Sequence, residues 1–295
     1  MTAVNYNSAA DIRAFLEKNG MGMRKKFGQN FLINPGVRQA LVNALDAGSG
    51  DDVWEVGAGI GAMTSLLLER GLSVRAFEID TGFVRCLKEM FAANTGFALV
   101  EGDVLKTWRH QPPSPYLLGN LPYNIAATLL AGFIEQGRLF KRMVVTVQRE
   151  VALRMAAVPG SADYSSFSVL CASVYRVTPL IDIKGASFYP KPKVDSRAVL
   201  LERNCRCALP SCFYPLVRLL FSSRRKTIKN NLGSFFASRS MSAKAVPEAL
   251  EKSSLAGSER AENLSIDDFA ALAKVVEDMG LYLIGTESDV NSRKS

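Results

Sequence analysis

The sequence contains little of what a metal centre needs. It has one histidine, His110, in the polar segment WRHQPPSP, and five cysteines, of which Cys205, Cys207 and Cys212 lie close together. An odd number of cysteines at this spacing matches neither a disulfide framework nor a zinc ribbon. We therefore expect free thiols and no metal site.

Long apolar segments are also missing. No apolar run approaches the length of about 20 residues that a membrane helix needs. The N-terminal segment MTAVNYNSAADIRAFLEKNG lacks the basic start and apolar stretch of a signal peptide. We expect a cytoplasmic protein without a membrane partner, a monomer because no feature demands more, and disorder in about the first ten residues and in the polar end after Thr286.

The charge of the chain is unevenly distributed. The net charge is +8, and the segment from Lys184 to Lys229 contains eleven lysines or arginines but only two acidic residues, Asp195 and Glu202. A block of this kind indicates a polyanionic partner such as nucleic acid. A solvated basic face without a partner is the alternative.

Hydrophobic patterning predicts an α/β fold. Short β-rich runs, beginning with VWEV at residues 53–56, alternate with helical patterns, as in βαβ units of a mostly parallel sheet. The runs at 172–181 and 196–203 add two edge strands, which gives a sheet of about seven strands. After Asn204 the pattern becomes helical, so we expect a catalytic domain over residues 1–205 and a smaller all-helical domain over 206–295.

A glycine-rich turn follows the first strand of the sheet. Gly57 and Gly59 in EVGAGIGAMT permit close approach of a ligand to the backbone, but the motif suits both a dinucleotide and S-adenosylmethionine. Glu78 ends the next strand, where it can accept hydrogen bonds from a ribose, and Asp103 ends the third, beside an adenine amine. No hydride-transfer site is evident, so an adenosyl ligand fits better; a nicotinamide-dependent oxidoreductase is the alternative.

The segment GNLPYNI ends the fourth strand and opens into the same crevice. The Asn120 side-chain oxygen and the Leu121 carbonyl can accept the two N–H hydrogens of an adenine amine and so make its nitrogen more nucleophilic. Pro122 fixes the turn, and Tyr123 can stack on the base. Phe188 is the candidate for the second wall of a base sandwich, with core packing as the alternative.

These segments together resemble the KsgA family of ribosomal RNA adenine dimethyltransferases. The matching blocks are KKFGQNFL (25–32), EVGAGIGAMT (55–64), FEID (77–80), GDVL (102–105), GNLPYNI (119–125), VQREVALR (147–154), FYPKPKVDS (188–196) and FSSRRKTIKNNL (221–232). The resemblance implies a Rossmann-like class I methyltransferase sheet and S-adenosylmethionine as the methyl donor. It also implies dimethylation of two adjacent adenosines in the 3′-terminal hairpin of 16S rRNA, in the small ribosomal subunit or its precursor.

The resemblance also carries residue roles. The catalytic residues are Asn120, Leu121, Pro122, Tyr123 and Phe188. The cofactor-binding residues are Gln29, Asn30, Leu32, Gly57, Gly59, Glu78, Ile79, Asp103, Val104 and Asn120, with Asn30 and Leu32 covering the methionine part. The RNA-binding residues are Lys25, Lys26, Arg149, Lys191, Lys193, Arg224, Arg225, Lys226 and Lys229.

Two related functions remain as alternatives. The basic second domain also suits a ribosome assembly factor with a secondary catalytic role, although the intact Asn120, Tyr123 and Glu78 argue against a purely non-catalytic one. Erythromycin-resistance methyltransferases, which act on 23S rRNA, share the N-terminal motifs. The FYPKPKVDS and RRKT blocks favour the small-subunit enzyme.

Overall fold

The chain forms two compact units. The computed structural model describes residues 4–22, 29–204, 208–238, 242 and 244–280. The first unit comprises Met1–Ala156 and Tyr175–Asn204, and the second comprises Ala157–Val174 and Cys205–Ser295. The predicted RNA-binding residues Lys25 and Lys26, like Cys205 and Cys207, lie outside the described residues.

The first unit is built on a mixed sheet of seven strands, as predicted. The strands along the chain are β1 (Phe31–Leu32), β2 (Asp52–Val56), β3 (Ser73–Glu78), β4 (Phe97–Glu101), β5 (Tyr116–Asn120), β6 (Arg142–Gln148), β7 (Tyr175–Ile183), β8 (Phe188–Tyr189) and β9 (Ser196–Arg203). Their order in the sheet is β4-β3-β2-β5-β6-β9-β7, and β1 pairs separately with β8. Strands β2 to β6 are parallel to one another, whereas β9 is antiparallel to both β6 and β7.

Helices surround this sheet. Those of the first unit are α1 (Ala9–Lys18), α2 (Pro35–Leu45), α3 (Ala62–Glu69), α4 (Thr81–Met90), α5 (Val104–Thr107), α6 (Ala126–Glu135) and α7 (Arg149–Met155). The central strand β2 is apolar at Val53, Trp54 and Val56, each at most 1% exposed, as a strand covered by helices on both faces requires. Parallel strands end at one edge, so the turns that follow β2, β3 and β5 meet there.

Residues 4–22 pack on the first unit and contain helix α1, so the expectation that about the first ten residues are disordered is wrong for residues 4–10. Ser8 caps α1 by accepting a hydrogen bond from Asp11 N. Ile12 and Leu16 of this helix are almost fully buried against the first unit. Burial of these two side chains supplies free energy that stabilises the folded state of this segment, although its polar composition alone predicts disorder.

The second unit is helical. It consists of α8 (Ser166–Val174), α9 (Phe213–Phe221), α10 (Ile228–Ala237), α11 (Ala245–Lys252) and α12 (Ile266–Asp278). Phe213, Leu216 and Phe269 are completely buried in its core. Ser265 and Asp268 form a capping box at the start of α12.

The structure differs from the predicted division at residues 157–174. Helix α8 occupies 166–174 and the strand starts only at Tyr175, so the strand predicted over 172–181 begins three residues too early. Tyr164 and Val169 are buried in the helical core, and Tyr164 Oη donates a hydrogen bond to Leu264 O at 2.9 Å. Contacts with residues 100 positions later assign this segment to the second unit, and no local pattern reveals them.

Within the described residues, no helix is long and apolar enough to cross a membrane.

Candidate active site

One cavity opens at the carboxyl ends of the parallel strands. A concave site at this edge of an α/β sheet is the usual place for a small-molecule ligand. Each residue that the sequence predicts to bind the cofactor lies along its wall: Gln29, Asn30, Leu32, Gly57, Gly59, Glu78, Ile79, Asp103, Val104 and Asn120. The cavity therefore brings together segments more than 90 residues apart in sequence.

The glycine turn forms the floor of the cavity. Gly57 and Gly59 have φ angles of +77° and +58°, which favour glycine. A Cβ atom at Gly59 would lie 3.1 Å from the Phe31 ring, and one at Gly57 would lie 3.4 Å from the Asn120 carbonyl oxygen. Glycine at these positions lets the turn pack closely against Phe31 and the NLPY turn, with its backbone at the cavity wall.

Glu78 is fixed by the backbone of two turns. Its Oε2 accepts from Gly59 N at 2.8 Å, and its Oε1 accepts from Ile79 N at 2.9 Å and Asp80 N at 2.8 Å. Burial raises the pKa of Glu78, and the three N–H donors oppose that rise. Since a carboxylate offers about four acceptor sites and three are occupied, Glu78 can still accept a hydrogen bond from one ribose hydroxyl.

Asp103 is both a helix cap and a residue of the cavity wall. It caps α5, with Oδ1 accepting from Leu105 N at 3.0 Å, and it also lines the cavity. An N-cap uses one carboxylate oxygen, so the other can accept from an adenine amine.

The NLPY turn borders the cavity beside the glycine turn. Asn120 Nδ2 donates to Asn30 O at 2.8 Å, and Leu121 N donates to Thr146 O at 3.1 Å. Pro122 O accepts from Ile125 N and Ala126 N, which starts α6. Within the described residues, the Leu121 carbonyl oxygen accepts no hydrogen bond. Asn120, Leu121, Pro122 and Tyr123 all line the cavity, so four of the five predicted catalytic residues meet there.

Phe188 is placed differently. Its side chain is 3% exposed and packs in the core of the first unit, and it is not among the described residues that line the cavity. The physical reason is the pairing of β8 with β1, which sets Phe188 opposite Leu32 and buries it beside that residue. Phe188 therefore packs in the core, as the alternative interpretation of the sequence has it. Its role as one wall of a base sandwich stays a prediction.

Three structural features of the cavity are absent from the sequence-based prediction. Glu55 is fully buried, accepts from Thr64 Oγ1 at 2.6 Å, and has its pKa raised to about 8 by burial. Arg38 of α2 reaches the cavity although it is only 5% exposed. Helix α1 packs on the cavity-lining residues Phe31, Ile60 and Phe83. Glu55 could have been predicted to lie at the cavity, because it belongs to the glycine-rich motif EVGAGIGAMT. No sequence motif marks Arg38 or α1 as part of the cavity.

The predicted RNA-binding residues fall into both units. In the first unit Lys191 and Lys193 are exposed, and Arg149 lies 3.9 Å from Asp182. In the second unit Arg225, Lys226 and Lys229 are exposed near the start of α10. Arg224 instead donates hydrogen bonds within its own unit, to Tyr164 O at 3.0 Å and to Glu262 Oε2 at 3.1 Å.

Known proteins resemble the chain over almost all of its length. Residues 20–278 match the family Ribosomal RNA adenine dimethylase. The chain is 45% identical over 282 residues to the Ribosomal RNA small subunit methyltransferase A of Treponema denticola, covering 92% of this chain and 96% of that protein. It is 37% identical over 276 residues to the protein of the same name from Borreliella afzelii, covering 92% and 95%.

Solved structures confirm the expected methyltransferase fold. A dimethyladenosine transferase from Plasmodium falciparum superposes with a TM-score of 0.73 at 26% identity, covering 85% of this chain and 98% of that one. The 23S rRNA methyltransferase ErmE shares the fold with a TM-score of 0.62 at 20% identity, covering 83% and 99%. With the family match and a relative 45% identical, the chain belongs to the ribosomal RNA adenine dimethylase family.

Proposed function

We propose that the protein transfers methyl groups from S-adenosylmethionine to the N6 amines of two adjacent adenosines in the 3′-terminal hairpin loop of 16S rRNA. The products are N6,N6-dimethyladenosines in the small ribosomal subunit or its precursor. The observation that carries the proposal is the single cavity shared by Gly57, Glu78, Asp103 and the NLPY turn. The family match and the names of the relatives support the choice of rRNA.

The charges around the cavity fit this donor. Glu78 and Asp103 stand where a ribose and an adenine would be held, and the glycine turn has its backbone at the cavity wall. Among the described residues of the lining, Arg38 is the only cation. When bound, S-adenosylmethionine supplies an electrophilic methyl group on a positively charged sulfur, which suits a cavity lined by carboxylates.

The NLPY turn prepares the acceptor. In the first transfer Asn120 Oδ1 and the Leu121 carbonyl accept the two hydrogens of the target amine, so its lone pair leaves conjugation with the ring and points toward the methyl group. In the second transfer the monomethylated amine has one hydrogen for these two acceptors. In each transfer an N–C bond would form as the S–C bond of the donor breaks, and S-adenosylhomocysteine would be the leaving group. Tyr123 stacks on the base and Pro122 holds the turn rigid. The methylated amine is cationic and releases its proton to water without a strong base. Most of the rate comes from alignment of nitrogen and methyl group.

Exposed basic residues on both units bind the rRNA. Lys191, Lys193 and Arg149 on the first unit, and Arg225, Lys226 and Lys229 on the second, contact phosphates rather than bases. Lys25 and Lys26 belong to the same proposal on sequence grounds. Arg224 belongs to the same proposal, because its side chain is half exposed although Nη2 donates to Tyr164 O and Glu262 Oε2.

Methyl transfer from labelled S-adenosylmethionine tests the proposal. Small subunits isolated from cells that lack the gene should accept label that nucleoside analysis recovers as dimethyladenosine, and primer extension should stop at the two adjacent adenosines. Subunits from cells that carry the gene are the control, since their sites are already methylated. Label in 23S rRNA, with none in small subunits, would contradict the assignment and support the erythromycin-resistance type of activity.

A further inference from the structure

Arg38 is a buried cation at the cavity wall. The residue is 5% exposed and lies on α2, which packs against β1, β5 and β6. Its Nη1 donates to Leu32 O at 2.6 Å and to Tyr6 O at 3.2 Å, and its Nη2 donates to Asn7 Oδ1. Its Nε is buried without a hydrogen-bond acceptor.

The charge of Arg38 has no counter-charge beside it. Burial lowers the pKa of Arg38 below its ordinary value, but an arginine stays protonated at neutral pH. Within the described residues Arg38 forms no ion pair, and its three acceptors are two carbonyls and an amide. The carboxyl of Glu55, with a pKa of about 8, is mostly protonated at pH 7. A buried cation in this state costs free energy that an anionic ligand would offset.

The charged groups of the cavity wall come from different sides of β2. Glu78 and Asp103 follow β3 and β4 on one side, whereas α2, which carries Arg38, packs on β5 and β6 on the other side. Arg38 also holds the carbonyl of Leu32, in the segment that the family resemblance assigns to the methionine part of the cofactor. An adenosyl amino acid has the same polarity, with the adenosine at one end and an α-carboxylate at the other.

We infer that Arg38 receives the α-carboxylate of S-adenosylmethionine and so orients the amino-acid end of the cofactor. This inference rests on the proposed function. The Nε and Nη2 edge of a guanidinium matches a carboxylate with two parallel hydrogen bonds. Nε has no acceptor, and a carboxylate at this edge takes the place of the Asn7 amide oxygen on Nη2. Arg38 is thus a binding residue that no motif of the sequence marks.

Calorimetric titration with two ligands isolates this contact. S-adenosylmethionine and its decarboxylated analogue differ only in the carboxylate. We expect Arg38→Met to weaken binding of S-adenosylmethionine about 10- to 100-fold, the range for a hydrogen bond to a charged group, while binding of the decarboxylated analogue changes less than about twofold. Arg70→Met is the matched control, because Arg70 on the neighbouring helix end does not line the cavity, and should alter neither affinity.

A second measurement uses the wild-type chain. The Nε–H signal of Arg38, identified by its disappearance in Arg38→Lys, should shift in a nitrogen-15 spectrum on addition of S-adenosylhomocysteine but not of 5′-methylthioadenosine. Equal losses of affinity for both cofactor forms in Arg38→Met, or equal shifts with both nucleosides, would overturn the inference and leave Arg38 as a support for Tyr6 and Asn7. Failure of the proposed function looks different, since the wild-type protein would then bind neither adenosyl ligand.

Discussion

The side-chain amide of Asn120 donates from Nδ2 to the main-chain oxygen of Asn30 at 2.8 Å. The two residues are 90 positions apart, and the bond ties the end of β5 to the segment that precedes β1. Because Nδ2 donates this bond, the orientation of the amide is fixed, and Oδ1 is available as the acceptor. The orientation that the proposed chemistry needs therefore exists before any substrate binds.

Replacement of Asn120 tests this acceptor. Asn120→Ala removes an oriented acceptor from the reacting amine, and we expect methyl transfer to fall by at least about 100-fold, as for loss of one preorganised hydrogen bond at a reaction centre. Asn124→Ala is the matched control, since Asn124 is exposed in the same turn and does not line the cavity. Single-turnover rates on unmethylated small subunits give the measurement. Equal rates for both variants would remove Asn120 from the catalytic step.

Tyr123 and Ser196 form a second bond between distant motifs. Their hydroxyl oxygens lie 2.6 Å apart, and Ser196 is completely buried. We expect Tyr123→Phe and Ser196→Ala each to slow methyl transfer about 2- to 10-fold, because one hydrogen bond that aims the ring is worth about 0.5 to 1.5 kcal/mol. Tyr123→Ala should cost far more, because the stacking surface itself is lost.

The double variant shows whether the two residues act through this bond. Tyr123→Phe combined with Ser196→Ala should be about as slow as either single variant, since each change already breaks the same contact. Losses that multiply in the double variant would mean that Ser196 acts through something other than Tyr123.

Site residues that follow parallel strands could be predicted from the sequence. The positions of Glu78, Asp103 and Asn120 follow from parallel pairing, because successive βα turns of such a sheet meet at one edge. Arg38 and Tyr6 could not be predicted in the same way. Their roles depend on how α2 and the N-terminal segment pack, and an arginine within a helix is ordinarily read as a solvated charge.

The misplaced boundary at α8 has a similar cause. The run ASVYRVTPLI is apolar enough for a strand throughout, and short apolar runs do not separate a strand from a buried helix. Ser173 is buried on α8 and Tyr175 is buried on β7, so burial continues across the change of structure. Only contacts with residues beyond 208 separate the two. The buried state of Phe188 is likewise set by the pairing of β8 with β1, a contact of 156 positions.

Glu55 should make stability depend on pH. Burial raises the pKa of Glu55 from 4.5 to about 8, so the folded protein holds a proton that the unfolded chain releases between those values. The free energy of unfolding therefore falls as pH rises from about 4.5 to about 8, and the loss is complete above about 8. At 1.36 kcal/mol for each pKa unit, the loss is at most about 5 kcal/mol.

Glu55→Gln removes this titration while its amide oxygen still accepts from Thr64. We expect the variant to lose less stability than the wild type between pH 5 and pH 9 and to be the more stable of the two at pH 9. Urea unfolding across this range provides the measurement, with Glu69→Gln as the control because Glu69 is exposed on α3. A wild-type curve that is flat between pH 5 and pH 8 would show that Glu55 is ionised in the folded protein.

Arg224 and Arg225 are adjacent arginines with different surroundings, and they should respond differently to replacement. Arg224 is half exposed and donates from Nη2 to Tyr164 O and Glu262 Oε2 inside the second unit, so Arg224→Ala should lower the stability of that unit by about 1 kcal/mol. Arg225 is exposed, and Arg225→Ala should leave the unfolding midpoint unchanged. Its effect should be weaker RNA binding and a slope of log affinity against log salt that is shallower by about 1, the signature of one lost phosphate contact.

Thermal unfolding and salt-dependent RNA titrations of the two variants separate these outcomes. Cofactor affinity should stay unchanged in both variants, because neither arginine lines the cavity. If Arg225→Ala binds RNA with the wild-type salt slope, Arg225 makes no phosphate contact and the basic surface at the start of α10 must act through Lys226 and Lys229.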